Sequence, residues 1–195
     1  MASDHVAGHL IGHVVGHIAD NGWLSSTRRV YSPNYNNRPA HSKISLLVIH
    51  NISLPPGCFG GPHIEEFFCN KLDSNQHPYF AEIDEMEVSA HLFIDRQGKM
   101  VQFVPFGQRA WHAGTSSFEG CDDCNDYSIG IELEGVDDAS YTDAQYQSLV
   151  QVTQLLMATY PDLTKARIVG HSDISPGRKT DPGTAFDWQR YRTSL

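Results

Sequence analysis

The fold is decided by an apolar stretch in the first third of the chain, Ile44-Ser45-Leu46-Leu47-Val48-Ile49, which leads directly into His50. This run lacks the alternation of a strand that has one face in water, so we predict a buried central β-strand. A second short segment, 167–169, predicts another strand, and His171 follows it closely. Two predicted buried strands therefore end in a histidine.

The remaining strands and helices are predicted outward from this stretch. We predict further strands at 89–94, 100–104 and 128–133, and short helices at 64–68 and 186–192. Because the strands are interleaved with helices, the predicted fold class is α/β (α+β), with a mixed central β-sheet flanked by helices.

Two local signals are specific. Asp95-Arg96-Gln97-Gly98 predicts a hairpin turn, with Gly98 where a positive φ is needed. The clearest helix is predicted at 143–160, where Thr142 and Gln145 match a capping box and apolar residues recur at 3.6-residue spacing. Pro161 ends this helix.

Length and composition indicate one domain. A chain of 195 residues with 40% hydrophobic residues can bury its own core. We predict one folded domain at 22–195 and a His-rich N-terminal extension at 1–21. In the extension, histidines recur every four residues, which would suit a metal-chelating helix, a purification tag or a low-complexity tail, and the glycines between them disfavour the helix. These histidines are His5, His9, His13 and His17.

Charge and hydropathy exclude several classes of partner. The formal net charge is −9, and the 14 Lys and Arg residues are scattered, which argues against binding to nucleic acid or to an anionic membrane. No run approaches the roughly 18 apolar residues of a membrane span. The first residues lack the basic segment of a secretory signal, so we expect a cytoplasmic protein. We expect the four cysteines to be free thiols, because Cys121-Asp122-Asp123-Cys124 has no second CxxC with which to hold a metal.

Three candidate metal ligands stand out, namely His50, His171 and Asp181, the last in a loop bounded by Gly and Pro. Zinc hydrolases commonly use three His, Asp or Glu ligands and leave a fourth position to water. Each histidine alone could equally be a hydrogen-bonded core or surface residue, and spacing leaves both interpretations open.

The charged residues Glu132, Glu134 and Lys179 could have catalytic roles or could be ordinary surface charges. Glu132 and Glu134 are two apart on a predicted strand and face the same side, so one could be a general base, or both could be solvated. Lys179 lies two residues before Asp181, where an ammonium group could stabilise an oxyanion or could simply be a surface charge.

Several segments, taken together and in order, closely resemble the AmpD-type 1,6-anhydro-N-acetylmuramoyl-L-alanine amidases of the amidase/peptidoglycan-recognition superfamily. The resemblance covers about Gly22 to Arg192. Its motifs are Ser45–Gly57 (SLLVIHNISLPPG), Arg109–Gly114 (RAWHAG), Cys124–Gly135 (CNDYSIGIELEG), Gly170–Ile174 (GHSDI) and Arg178–Gly183 (RKTDPG).

The resemblance implies a zinc-dependent hydrolase with a single catalytic Zn²⁺. It implies that His50, His171 and Asp181 bind the metal, that Glu132 activates water, and that Lys179 stabilises the oxyanion. The implied reaction cuts the amide bond between the lactyl group of (1,6-anhydro)-N-acetylmuramic acid and L-alanine in muropeptides during cell-wall recycling. The implied partner is an anhydromuropeptide substrate.

The resemblance also suggests substrate contacts. Trp111 and His112 are expected on the rim of the groove, against the sugar or lactyl group, although Trp111 could instead be core packing. His91 is expected to be structural and not a fourth ligand. Two alternatives for the whole protein stay open: an amidase acting on polymeric peptidoglycan, and a non-catalytic peptidoglycan-recognition module.

The chain departs from the family pattern at acidic positions. It has Glu87, and Asp122-Asp123 between two cysteines, where the family segments have arginines suited to the carboxylates of a stem peptide. We therefore expect recognition of these carboxylates to differ or to move to other cations, such as Arg96 or Arg109.

Overall fold

The computed structural model of the protein describes residues 16–25 and 27–195. His5, His9 and His13 of the predicted extension lie outside the described residues. His17 is described: its N–H donates to Ser25 Oγ at 3.1 Å, and its carbonyl accepts from Ser25 N–H at 3.0 Å. The adjacent Ile18 packs against the main hydrophobic core. The end of the extension is thus attached to the domain, and the boundary at residue 22 stays a prediction.

The described residues form ten β-strands and five α-helices. The strands are β1 (Arg28–Arg29), β2 (Tyr35–Asn36), β3 (Leu46–Ile52), β4 (Leu92–Ile94), β5 (Met100–Gln102), β6 (Arg109–Ala110), β7 (Ser117–Phe118), β8 (Cys121–Asp122), β9 (Ser128–Glu134) and β10 (Ile168–Gly170). The helices are α1 (His63–Phe68), α2 (Pro78–Ile83), α3 (Asp143–Thr159), α4 (His171–Ile174) and α5 (Trp188–Ser194), with 3₁₀ turns at Cys124–Asp126 and Lys165–Arg167.

Six strands form the central sheet in the order β1-β5-β4-β9-β3-β10. β4 and β5 pair antiparallel as the predicted hairpin, and the other neighbours are parallel. The predicted mixed sheet with flanking helices is confirmed. The turn of the hairpin uses Gly98 at a φ of +77°, as its sequence predicts.

β3 is the buried central strand that the opening stretch predicts, and Leu46 to Ile49 are fully buried. The strand does not end at His50, as predicted, but continues to Ile52. Its pairing with β9 continues as far as Ile52 opposite Glu134, and this pairing keeps the backbone extended although the side chains become polar.

Helix α3 confirms the predicted capping box. Thr142 Oγ1 accepts from the N–H of Gln145 at 3.1 Å, and Gln145 Oε1 accepts from the N–H of Thr142 at 3.1 Å. Tyr146, Leu149 and Leu156 are buried in the main core. The helix therefore covers one face of the sheet and ends just before Tyr160 and Pro161.

Other predicted bounds differ by a few residues. The strand predicted at 89–94 is only Leu92–Ile94, because Ser89 N–H donates to the carbonyl of Trp111 and leaves the ladder. The strands predicted at 100–104 and 167–169 are β5 and β10. The helices predicted at 64–68 and 186–192 are α1 and α5, and α5 begins later because the side chain of Asp187 accepts from the N–H of Arg190 at 2.8 Å and caps it.

The sequence predicts neither a membrane-spanning segment nor disulfide bonds. Within 16–25 and 27–195, no helix combines the length and the apolar character needed to cross a bilayer. The four cysteines are free thiols, as expected, and only Cys124 is buried.

Candidate active site

The three predicted metal ligands converge. Nδ1 of His50 lies 2.9 Å from Nδ1 of His171, and Oδ2 of Asp181 lies 3.1 Å from each of these nitrogens. Together they form a group able to hold a metal ion, with ligand atoms within 4.8 Å of one another.

The sheet brings the two histidines together. His50 lies on β3, and His171 directly follows β10, in which Gly170 pairs with Ile49. The Asp181 loop is fixed beside them because its carbonyl accepts from Ser172 N–H at 3.0 Å. The pairing of neighbouring parallel strands therefore brings His50 and His171 into contact, although they are 121 positions apart in the chain.

The protonation of these groups suits a cation. Burial lowers the pKa of His50 to about 4, and the charge of His171 acts in the same direction, so the ring is neutral at pH 7. Burial opposes ionisation of Asp181, but the adjacent His171 and His50 rings outweigh it and hold the pKa of this carboxyl well below its usual range. His171 Nε2 lies 2.9 Å from the carbonyl of Ala113, which can only accept, so Nε2 carries the proton and Nδ1 has a free lone pair. The donor set fits a divalent metal ion.

Glu132 stands next to this cluster. Its Oε2 is buried and accepts no hydrogen bond from any residue that the structure describes. Burial raises the pKa of Glu132 well above its usual value; Asp181 raises it further and Lys179 lowers it. A carboxyl group of this kind can accept and return a proton.

Glu134 has a different environment from Glu132. It is 2% exposed, and its carboxylate accepts from the backbone N–H of Gly60 and, at 3.0 Å, from that of Arg96. The alternative that both carboxylates are solvated is wrong, because Glu134 ties two loops to the sheet.

A groove of about 760 Å³ runs over the cluster. This volume is in the range of small-molecule sites. Its lining includes Asn51, Leu54, Phe67, Tyr79, Met86, Trp111, His112, Glu132, Asp137, Asp138, His171, Arg178, Lys179 and Asp181.

Trp111 and His112 both line this groove but are held differently. The indole N–H of Trp111 donates to Asn36 Oδ1 at 2.8 Å. His112 has both ring nitrogens engaged inside the protein, Nδ1 at 2.9 Å from His50 Nε2 and Nε2 at 3.1 Å from Ser128 Oγ. Trp111 is thus on the groove wall, and His112 lies against His50, a candidate metal ligand.

His91 has the structural environment expected of it. The side chain is fully buried. Its Nδ1 accepts from Gly130 N–H at 3.0 Å, and its Nε2 lies 3.0 Å from the carbonyl of Gln108. Neither nitrogen is directed at the cluster of three ligands.

The two arginines proposed to replace the missing family arginines are occupied elsewhere. Arg96 donates to the carbonyl of Ser140 at 2.7 Å, and Arg109 forms an ion pair with Asp126 at 2.5 Å. Neither lines the groove. The expectation that they take over carboxylate recognition is therefore wrong in this structure.

The cations that do line the groove are Arg178 and Lys179. Arg178 donates to the carbonyls of Ala113 and Thr115 at 2.6 and 2.8 Å. The backbone N–H of Lys179 donates to the carbonyl of Ser175 at 3.0 Å. Its side chain has no hydrogen bond or ion pair with the described part of the chain, so the ammonium group is available to a ligand.

Sequence reasoning missed one pair in the groove. Asn51 Nδ2 donates to Asp137 Oδ1 at 2.8 Å, and both residues line the groove. The available signal was that Asn51 directly follows His50 on the same strand, and the partner could be found only from the fold.

Comparison with known proteins places these residues in a family context. The family profile described as N-acetylmuramoyl-L-alanine amidase matches residues 40–184. The 1,6-anhydro-N-acetylmuramyl-L-alanine amidase AmpD of Salmonella typhimurium (strain SL1344) is 57% identical over 175 residues, which cover 90% of this chain and 93% of the relative.

Solved structures agree with this similarity. A crystal structure of a selenomethionine AmpD derivative has a TM-score of 0.88 and 56% identity, covering 90% of this chain and 98% of its own. The amidase AmiD from E. coli, in complex with the substrate anhydro-N-acetylmuramic acid-L-Ala-D-gamma-Glu-L-Lys, has a TM-score of 0.58 and 27% identity, covering 92% of this chain and 65% of its own.

Proposed function

The chain belongs to the N-acetylmuramoyl-L-alanine amidase family, and we propose that it hydrolyses the amide bond between the lactyl group of 1,6-anhydro-N-acetylmuramic acid and L-alanine in muropeptides. The observation that carries this proposal is the convergence of His50, His171 and Asp181 at the groove that His171, Asp181 and Glu132 line. The similarity to AmpD over 90% of the chain supports the anhydromuropeptide as the substrate.

We propose Zn²⁺ as the metal, held by Nδ1 of His50, Nδ1 of His171 and Oδ2 of Asp181. Two neutral imidazoles and one carboxylate are a donor set typical of catalytic zinc. Zinc in such a site polarises a carbonyl group and lowers the pKa of water toward neutrality.

The side chains have separate tasks in this proposal. Glu132 accepts the proton of the attacking water and passes it to the departing nitrogen of L-alanine. Its buried carboxyl, free of hydrogen bonds from the described residues, supports that role. The Lys179 ammonium stabilises the negative charge that develops on the carbonyl oxygen.

Before a cation binds, the carboxyl of Asp181 is ionised and His50 is neutral, so both present lone pairs to a metal. Trp111 offers an indole face to the sugar or lactyl group from the wall of the groove. His112, in contrast, is a weaker candidate for a substrate contact, because both of its nitrogens already have partners.

The experiment that tests the proposed function offers the purified protein a soluble anhydromuropeptide, anhydro-N-acetylmuramoyl-L-Ala-D-γ-Glu-diaminopimelate. We expect free tripeptide and anhydro-N-acetylmuramic acid in the mass spectrum, loss of turnover after chelation, and recovery when Zn²⁺ is added back. An uncut substrate, with or without zinc, would contradict the proposal and favour a non-catalytic recognition module.

A parallel reaction with intact sacculi tests the other alternative. Faster release from sacculi than from the soluble muropeptide would favour an amidase acting on polymeric peptidoglycan. A role in cell-wall recycling predicts the opposite order. The cytoplasmic location expected from the sequence stays a prediction that cell fractionation can test.

A further inference from the structure

We infer that His112 is a positioning residue for the metal site: its Nδ1 accepts the Nε2–H of His50 and thereby presents the Nδ1 lone pair of His50 to the metal. The inference rests on the proposed metal site, and it gives His112 a different role from the substrate contact that the family resemblance suggests. Its basis is a row of three groups, Ser128, His112 and His50, joined by hydrogen bonds.

The distances define this row. His112 Nδ1 lies 2.9 Å from His50 Nε2, and His112 Nε2 lies 3.1 Å from Ser128 Oγ. A neutral imidazole has one N–H and one lone pair, so each ring donates on one side and accepts on the other. When His112 donates to Ser128, it accepts from His50, and the lone pair of His50 is left on Nδ1.

Only this direction of the row suits a metal. In the opposite direction, His112 Nδ1 would donate to His50 Nε2, and Nδ1 of His50 would carry a proton. That proton would point at the carboxylate of Asp181 and occupy the ligand position. Ligating histidines are generally oriented by a hydrogen-bond acceptor at the ring nitrogen that does not bind the metal. Nδ1 of His112 is that acceptor for the Nε2–H of His50.

The ring of His112 is enclosed so that it keeps this orientation. A Cβ atom on Gly130 would lie 2.4 Å from Cγ of His112, so the ring rests directly on the backbone of β9. The rings of His91 and His50 flank it, with centroids at 5.6 and 5.0 Å. Glycine at position 130 thus makes room for the histidine.

The contrast with His171 supports this assignment. The Nε2 of His171 faces a backbone carbonyl, that of Ala113, which can only accept. Among residues 16–25 and 27–195, no carbonyl faces Nε2 of His50, and His112 Nδ1 takes that place. Each ligating histidine thus has its own acceptor, one from the main chain and one from a side chain.

The test compares His112→Asn with His112→Leu. The two replacements have nearly the same size and shape, but the amide oxygen of Asn can occupy the position of Nδ1 and accept from His50, whereas Leu cannot. Zinc affinity is measured by competition with a chromophoric chelator, and the absorption spectrum of the Co²⁺-substituted protein reports the ligand geometry. His112→Phe, which keeps the ring volume, is a second variant without an acceptor.

We expect His112→Leu and His112→Phe to bind zinc about 10- to 100-fold more weakly than the parent, and His112→Asn to stay close to the parent in affinity and in Co²⁺ spectrum. Thermal unfolding of the metal-free proteins shows whether the variants fold. Parent-like zinc affinity in His112→Leu and His112→Phe would overturn this inference, and so would a loss in His112→Asn equal to theirs. Either result would leave the proposed function intact. A parent protein that binds no zinc would overturn the proposed function as well.

Discussion

His50 and Glu132 occupy the same register position on two adjacent parallel strands, β3 and β9, at the centre of the sheet. Side chains at paired positions of neighbouring strands emerge on the same face, about 5 Å apart. The sheet itself therefore places a candidate metal ligand beside a candidate general base.

Glu132→Gln removes the proton acceptor and keeps the size of the side chain. We expect kcat to fall by about 10²- to 10⁴-fold while zinc remains at one per chain. The measurements are turnover of the soluble muropeptide and metal content. Glu134→Gln is the matched control, because Glu134 accepts from backbone groups and should affect stability more than turnover. Near-parent activity in Glu132→Gln would refute the proton-transfer role.

Asp181→Asn removes the anionic ligand. We expect zinc affinity to fall by more than the roughly 10- to 100-fold that is typical when an outer partner of a ligand is lost. Chelator competition measures this. Asp138→Asn changes an exposed carboxylate on the same groove and should leave the affinity unchanged. If both variants held zinc equally well, the ligand set would be wrong.

Lys179→Met keeps the length of the side chain and removes its charge. We expect a loss in kcat on the order of 10²-fold, because an oxyanion contact acts mainly in the transition state. Zinc content should not change. Lys99→Met carries the same change of charge at an exposed hairpin position and should keep full activity. A rise in KM with kcat unchanged would point to substrate binding instead.

His91 makes stability depend on pH. Burial, together with the charge of the neighbouring Arg38, lowers the pKa of His91 to about 3. Between about pH 6.5 and 3 the unfolded chain binds a proton that the folded protein does not, so the unfolding free energy falls as the pH falls. The contribution of this histidine is on the order of 1 kcal/mol per pH unit in that window.

His91→Asn should reduce this pH dependence, since the amide oxygen can still accept from Gly130 but does not titrate. Urea unfolding of the parent and the variant between pH 7 and 4.5 measures the difference. His50, whose pKa burial lowers to about 4, adds a contribution of the same sign to both proteins. Parallel curves for the parent and the variant would show that His91 is not the source.

Gly98→Ala tests the hairpin between β4 and β5. Gly98 has a φ of +77°, and a Cβ atom there would lie 2.6 Å from the carbonyl oxygen of Ala144. We expect a loss of about 3 kcal/mol in unfolding free energy, from backbone strain and the steric clash together. Gly57→Ala is the control, because its φ is +79° but nothing lies within 4 Å. Gly57→Ala should lower the unfolding free energy by only about 1 kcal/mol. If both variants lost the same amount, the steric clash at position 98 would make no contribution.

Local signals predicted a large part of the fold. The apolar run before His50 is the central strand, and the Thr142–Gln145 capping box begins α3 as expected. Such features depend on side chains within a few residues of one another, so they can be recognised without the tertiary structure. The ends of elements were predicted less well. Ser89 leaves its strand because of a bond to Trp111, a partner 22 residues away that the local sequence cannot indicate.

The candidate ligands were predicted from the ordered motifs, and the structure brings His50, His171 and Asp181 together in a group that could hold a metal ion. The structure changed the interpretation of their neighbours. His112 lines the groove, as the resemblance suggests, and it also contacts His50, which the sequence does not indicate. Arg96 and Arg109 looked available to a peptide, and their charges are engaged by groups on other segments.

By itself, the sequence determined which residue types are present and which short segments form strands, caps and turns, since these depend on near neighbours. The three-dimensional contacts alone show that Nδ1 of His50 and of His171 face the same point and that His112 stands between His50 and Ser128. They also show that Oε2 of Glu132 is buried without a hydrogen bond from the described residues, while Glu134 is bonded to two loops. The orientations and protonation states of these side chains depend on contacts between distant segments, because the pairing of parallel strands brings those segments together.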